Sequence, residues 1–128
     1  MDMKLELVAV PVTDVDRARD FYVQVGFVLD HDHEVSDEVR FVQLTPPGSG
    51  CSIALGKGIT GMEPGSLDNL QMVVADADEA RTDLADRGIE VSGVDDQPWG
   101  SFVYFSDPDG NGWSLQQLPE WSSGAAQS

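Results

Sequence analysis

The chain is short of basic residues, cysteine and histidine. Only 7 lysines and arginines stand against 23 aspartates and glutamates in 128 residues, a formal net charge of -16. Phosphate backbones and anionic lipid surfaces are held by basic patches, so this balance excludes nucleic acid and membrane surfaces as partners. Through the summed field it favours neutral or cationic small molecules over anionic ones. The single cysteine, Cys51, excludes an internal disulfide, and its place in an alternating apolar run makes it a packing residue. No apolar run approaches the roughly 20 residues that a membrane span requires, and the amino end lacks the basic-then-apolar layout of a signal peptide. The expected location is therefore the cytoplasm. Both histidines, His31 and His33, fall in one acidic stretch, so no Ser/His/Asp or Cys/His arrangement is legible. Gly56-Lys57-Gly58 lacks the spacing and the following helix of a phosphate loop.

What the chain does have is a repeat. Lys4 to Val12 is an apolar β run. Asp14 then stands as an N-cap before Val15, Ala18, Phe21, Tyr22 and Val25, which recur at helical spacing until Gly26 supplies a stop. Phe27 to Leu29, Val39 to Leu44 and Cys51 to Leu55 read as three more strands, the first two joined by the acidic connection Asp30 to Glu38. After the glycine-rich stretch Gly56 to Ser66, the pattern restarts at an offset of 62 residues, the separation of Asp76 from Asp14. Leu67 to Val74 matches the first strand, and Asp76 with Glu79 sets up a capping box. Ile89 to Val91, Ser101 to Phe105 and Trp113 to Leu118 complete the second set.

The same offset lays the turn Asp107-Pro108-Asp109-Gly110-Asn111-Gly112 over Thr45-Pro46-Pro47-Gly48-Ser49-Gly50. Self-similarity of this period marks a duplicated supersecondary unit. The expected fold class is α+β, with two tandem βαβββ modules: residues 1–58 with a linker at 56–66, then 67–119, then a frayed tail at 120–128 from which Trp121 alone has surface to dock.

The run Val8 to Ala18 with Phe21-Tyr22, its echo Asp76 to Ala80, and Phe105-Ser106-Asp107-Pro108-Asp109-Gly110-Asn111 together resemble the vicinal oxygen chelate superfamily, which includes glyoxalases, extradiol dioxygenases and bleomycin-resistance proteins. The resemblance covers about residues 4 to 118 and implies curved sheets around a shared concave cavity, often completed in a homodimer. In the enzymes of that superfamily a divalent metal is held from the first and last strands of each module. The matching positions here are Leu7 and Ser52, then Asn69 and Ser114. One hydrocarbon, one amide and two hydroxyls do not replace the histidines or carboxylates that such a metal requires. No metal, cofactor or catalytic residue is therefore expected.

Strand alternation sorts the remaining candidates. With those four positions on the concave face, Ala9, Ala54, Gln71 and Gln116 join them. Phe102 and Tyr104 follow, because Phe105 next to the turn belongs to the core, and the 62-residue offset makes Arg40 and Val42 their counterparts. Trp99 stands at the rim. A surface of rings, amides and hydroxyls suits recognition by stacking and hydrogen bonding. The expected function is that of a metal-free protein of the bleomycin-resistance style that sequesters a small aromatic compound, neutral or cationic. The alternative is a lyase, isomerase or oxygenase with an atypical site, or a metal-independent catalyst using Tyr104, Arg40 or His31.

Overall fold

The computed structural model describes residues 1–119; the expected tail and Trp121 lie outside the described residues. Strand β1 (Leu7–Ala9) is followed by helix α1 (Val15–Val25), β2 (Val28–Glu34), β3 (Arg40–Thr45) and β4 (Ser52–Lys57). The order then recurs as β5 (Leu70–Val74), α2 (Ala77–Asp86), β6 (Asp95–Gln97), β7 (Gly100–Ser106) and β8 (Gly112–Gln117). One sheet has the order β1-β4-β3-β2 and the other β5-β8-β7-β6. In each, the first and last strands pair in parallel and the other neighbours pair antiparallel. Two four-stranded sheets with two helices make this an α+β fold of tandem βαβββ modules.

The helices begin where their caps dictate. Asp14 has extended backbone and its side chain accepts from the Arg17 N–H at 3.0 Å; Asp76 does the same for Glu79 at 3.0 Å. Val15, Ala18 and Tyr22 form the buried stripe of α1, and Ala77 and Leu84 that of α2. Gly26 ends α1 with φ of 124°, a conformation that residues with a Cβ rarely adopt.

The described residues group into two compact units, residues 1–67 with 107–111, and residues 68–106 with 112–119. The turn 107–111, which the repeat assigns to the second module, thus groups with the first. Its attachments are specific. Asp107 is 5% exposed and Asn111 fully buried. The Asp107 carboxylate accepts from the Tyr22 hydroxyl at 2.8 Å, from the Asn111 and Asp109 N–H groups at 2.9 and 3.0 Å, and from Asn111 Nδ2 at 2.8 Å. Asn111 Nδ2 also donates to the Pro11 carbonyl at 2.8 Å, and its Oδ1 accepts from the Leu67 N–H. A buried carboxylate is stable here because every acceptor site is supplied with a donor.

The strands depart most from expectation in three places. β1 spans only three residues, although the Glu6 carbonyl and the Val10 N–H still bond to β4. β2 runs on through the acidic connection as far as Glu34. Ile89 to Val91 forms no strand; Ile89 instead packs as a buried residue just beyond α2, its N–H donating to the Leu84 carbonyl. The strand partner of β7 is Asp95–Gln97, joined to it by the two-residue turn Pro98-Trp99.

Candidate functional site

The register of each sheet decides which side chains share a face. In the second sheet Gln71 lies opposite Ser114, Ser114 opposite Tyr104, Gln116 opposite Phe102, and Phe102 opposite Asp95. These residues therefore occupy one face, while Leu70, Met72, Trp113, Leu115, Val103 and Phe105 occupy the other. Four aromatic and amide candidates from the sequence, Gln71, Phe102, Tyr104 and Gln116, share one sheet face with Ser114, Phe102 being buried at 6% exposure and Tyr104 exposed. Asn69 precedes β5 and is exposed; by register the counterpart of Leu7 is Gln71.

The polar groups on this face form a chain. Ser114 Oγ donates to Gln71 Oε1 at 3.3 Å, Gln71 Nε2 to Gln116 Oε1 at 2.6 Å, and Gln116 Nε2 to the Trp99 carbonyl at 2.8 Å. Both amides are thereby fixed in orientation. The Trp99 ring, in the β6–β7 turn, is left 56% exposed. Phe102 and Tyr104 stack with centroids 6.1 Å apart and planes 6° from parallel. The Tyr104 hydroxyl donates to Asp95 Oδ2 at 2.8 Å. That bond, reinforced by partial burial and the carboxylate's charge, raises the phenol's pKa and makes it a weaker acid.

In the first sheet Leu7 lies opposite Ser52. The β3–β4 register continues from Leu44–Ile53 to set Thr45 beside Ser52, and their hydroxyl oxygens are 2.6 Å apart. Thr45 also donates to Asp30, and Gln43 Nε2 reaches Ser52 Oγ at 3.4 Å. The face that carries Leu7 and Ser52 thus carries Phe41, Gln43 and Thr45, with His31 and His33 of β2 beyond them.

Arg40 and Val42 are on the opposite, helix-packed side, contrary to the expectation from the repeat. Val42 is fully buried. Arg40 bonds both oxygens of Asp32 at 3.1 and 2.9 Å and pairs with Asp16 at 2.8 Å. The cause is connection length. Tyr104 precedes its partner Ser114 by ten residues, while Thr45 precedes Ser52 by seven. The difference of three is odd, so carrying an offset of 62 from β4 back into β3 exchanges its faces. Direct pairing from Ser52 across the turn was the signal that would have found Gln43 and Thr45.

The charges on the helix side form a network in which Arg19 joins Asp32 at 2.9 Å and Asp20 at 3.1 Å. Arg40's hydrogen bond holds Asp32 below the ordinary aspartate range against the opposing effect of burial, and Arg19 adds to it. Both guanidiniums are pushed further into their charged form, by hydrogen bonds to Asp32 first. Arg40 is consumed by carboxylates and offers nothing to a substrate on the other face.

The chelate positions of the resembled fold hold Leu7, Ser52, Gln71 and Ser114, with Asn69 nearby. In the first sheet Ser52 is engaged with Thr45 and Gln43, and in the second Ser114 with Gln71; neither sheet supplies an imidazole or a carboxylate at these positions. The set does not fit a divalent metal. Among the described residues no group of three or more histidines, cysteines or acids is placed to hold one elsewhere. No helix among them is long and apolar enough to cross a membrane.

Comparison with known proteins agrees with this fold. TnmS3, an antibiotic binding protein from Streptomyces sp. CB03234, is 39% identical, with 92% of this chain and 98% of that one covered at a TM-score of 0.83. A glyoxalase/bleomycin resistance protein from the same Streptomyces is 40% identical over 89% of this chain and all of that one, with a TM-score of 0.77. The uncharacterized protein YetH of Bacillus subtilis (strain 168) is 28% identical over 124 residues, which cover 91% of this chain and all of that protein. The model of the Glyoxalase/Bleomycin resistance protein/Dioxygenase superfamily matches residues 4–115, and the chain belongs to that superfamily.

Proposed function

We propose that the protein binds a small planar aromatic compound, neutral or cationic, and sequesters it without a divalent metal and without turnover. The observation that carries this reading is the stacked Phe102–Tyr104 pair beside the oriented amides of Gln71 and Gln116 on one sheet face. Rings supply contact area at low entropic cost, and fixed amides supply directional donors and acceptors. Chemistry would need an activated group, and two of the three candidates are spoken for: Arg40 is tied to carboxylates on the other side of its sheet, and the Tyr104 phenol is made less acidic by Asp95. Likeness to an antibiotic binding protein supports an antibiotic as the ligand class.

The test is calorimetric titration with enediyne, glycopeptide and aromatic polyketide antibiotics. Saturable one-site binding, with recovery of the compound unchanged, is expected. Failure of every compound to bind below high micromolar concentration overturns the reading. Elemental analysis separates it from an enzymatic alternative, since stoichiometric metal surviving dialysis and required for binding would show a chelate-dependent site.

A further inference from the structure

His31 and His33 are the two histidines of the chain, and neither belongs to the second-sheet face on which the proposed function rests. They lie two residues apart on β2, an edge strand, so both rings project from the same side. Both are exposed, and their rings are 5.8 Å apart between centroids with planes at 24°. Among the described residues neither ring has a hydrogen bond or ion pair. In register, His31 faces Gln43 and His33 faces Phe41.

We propose that this pair is a surface site for a borderline transition-metal ion, Cu(II), Ni(II) or Zn(II), held by one nitrogen of each imidazole with water completing the shell. Imidazole suits these metals, whereas the chain's many carboxylates favour harder ions. A metal–nitrogen distance of about 2.0–2.1 Å puts the ion roughly 3.2 Å from each ring centre, so two rings on one ion have centroids no more than about 6.4 Å apart. The observed separation falls within that reach, and exposed imidazoles turn about χ2 at little cost.

The Gln43 amide lies directly across the strand pair from His31. Adjacent carboxylates are engaged elsewhere: Asp30 accepts from Thr45, and Asp32 is clamped between Arg40 and Arg19. Glu34 lies opposite Arg40, on the other face. The formal charge of -16 attracts any divalent cation to this surface. The site is separate from the chelate positions at Leu7 and Ser52, because β3 intervenes between β2 and β4 and puts about 10 Å between those strands.

The experiment is titration of the full chain with Cu(II) and with Ni(II), followed by calorimetry and, for copper, electron paramagnetic resonance. One ion per chain with two nitrogen donors in the copper spectrum is expected. His31→Gln and His33→Gln should each weaken binding at least tenfold and leave one nitrogen, and the double variant should abolish the site. Far-UV circular dichroism confirms that these exposed substitutions leave the fold intact. Undiminished binding in the double variant, or a wild-type copper spectrum with fewer than two nitrogens, overturns the proposal and assigns the cation to surface carboxylates.

Discussion

The hydroxyl of Tyr22, on α1, donates to the carboxylate of Asp107, 85 residues later, across 2.8 Å in a buried environment. Tyr22 is fully buried, and its ring also lies edge-on to Phe21 at 5.3 Å. Tyr22→Phe keeps the ring but leaves a buried carboxylate one donor short. The expected loss is about 1–3 kcal/mol, and the melting temperature should fall by on the order of 5 °C. Asp107→Ala should cost more, because the Asn111 and Asp109 N–H groups lose their acceptor together. Thermal melts of the two variants check the order.

Asp32 makes stability depend on acid. Its folded pKa lies below the ordinary aspartate value of 3.8, chiefly through the hydrogen bond from Arg40. A depressed carboxylate contributes stability that is present above its unfolded value and is lost as pH falls through the folded one. Wild-type stability should therefore decline as pH drops below about 3.8. In Arg40→Gln the decline should be shallower and the neutral-pH stability lower. Urea denaturation across the acid range checks both.

The Tyr104 phenol, held by Asp95, should ionise above the ordinary tyrosine value of 10.0. Its neutral form is the one that the fold favours. The associated stability is present below the unfolded value and disappears as pH rises through the raised folded one. Asp95→Asn should bring the ionisation down. The Tyr104 Cζ chemical shift, followed through an alkaline titration, reads this directly.

Ligand affinity should follow the second sheet's exposed face. Tyr104→Ala and Gln71→Ala are each expected to weaken a bound aromatic antibiotic about tenfold, or roughly 1.4 kcal/mol, whereas Val42→Ile, behind the first sheet, should leave affinity unchanged. Quenching of Trp99 fluorescence offers a second readout, since its ring is exposed beside that face.

Gly56 admits no side chain. A Cβ there would overlap the Arg40 carbonyl oxygen on the paired strand. Gly56→Ala must part β3 from β4, and a loss of about 1–3 kcal/mol or more is expected. Denaturant midpoints measure it.

The helices were readable because each carries its own start signal and stripe: Asp14 or Asp76 caps, and apolar residues return at helical spacing. The second sheet was readable because Phe105 abuts the turn, which fixed the faces of β7. The first sheet was not, because the repeat was extended through a hairpin whose length differs between modules. The extension of β2 beyond Leu29 escaped notice for a different reason. Asp30 to Glu34 has no apolar alternation to reveal it, since this edge strand is exposed on both sides. Likewise Asp95-Asp96-Gln97 has little strand propensity, and the Pro98-Trp99 turn and pairing with β7 hold it. The attachment of Asp107 and Asn111 to residues near the amino end depends on contacts about 100 positions apart, which no local pattern encodes.

The three-residue disparity between the two hairpins also bears on how duplicated modules diverge. A difference of odd length taken up in the loop leaves the strand pairing and the sides of its residues as they were: Thr45 and Tyr104 hold equivalent places beside Ser52 and Ser114. Only a comparison at one fixed offset mistakes covered residues for open ones. Change of length is thus confined to the turn, and each wall stays free to change its chemistry one residue at a time without exchanging its sides.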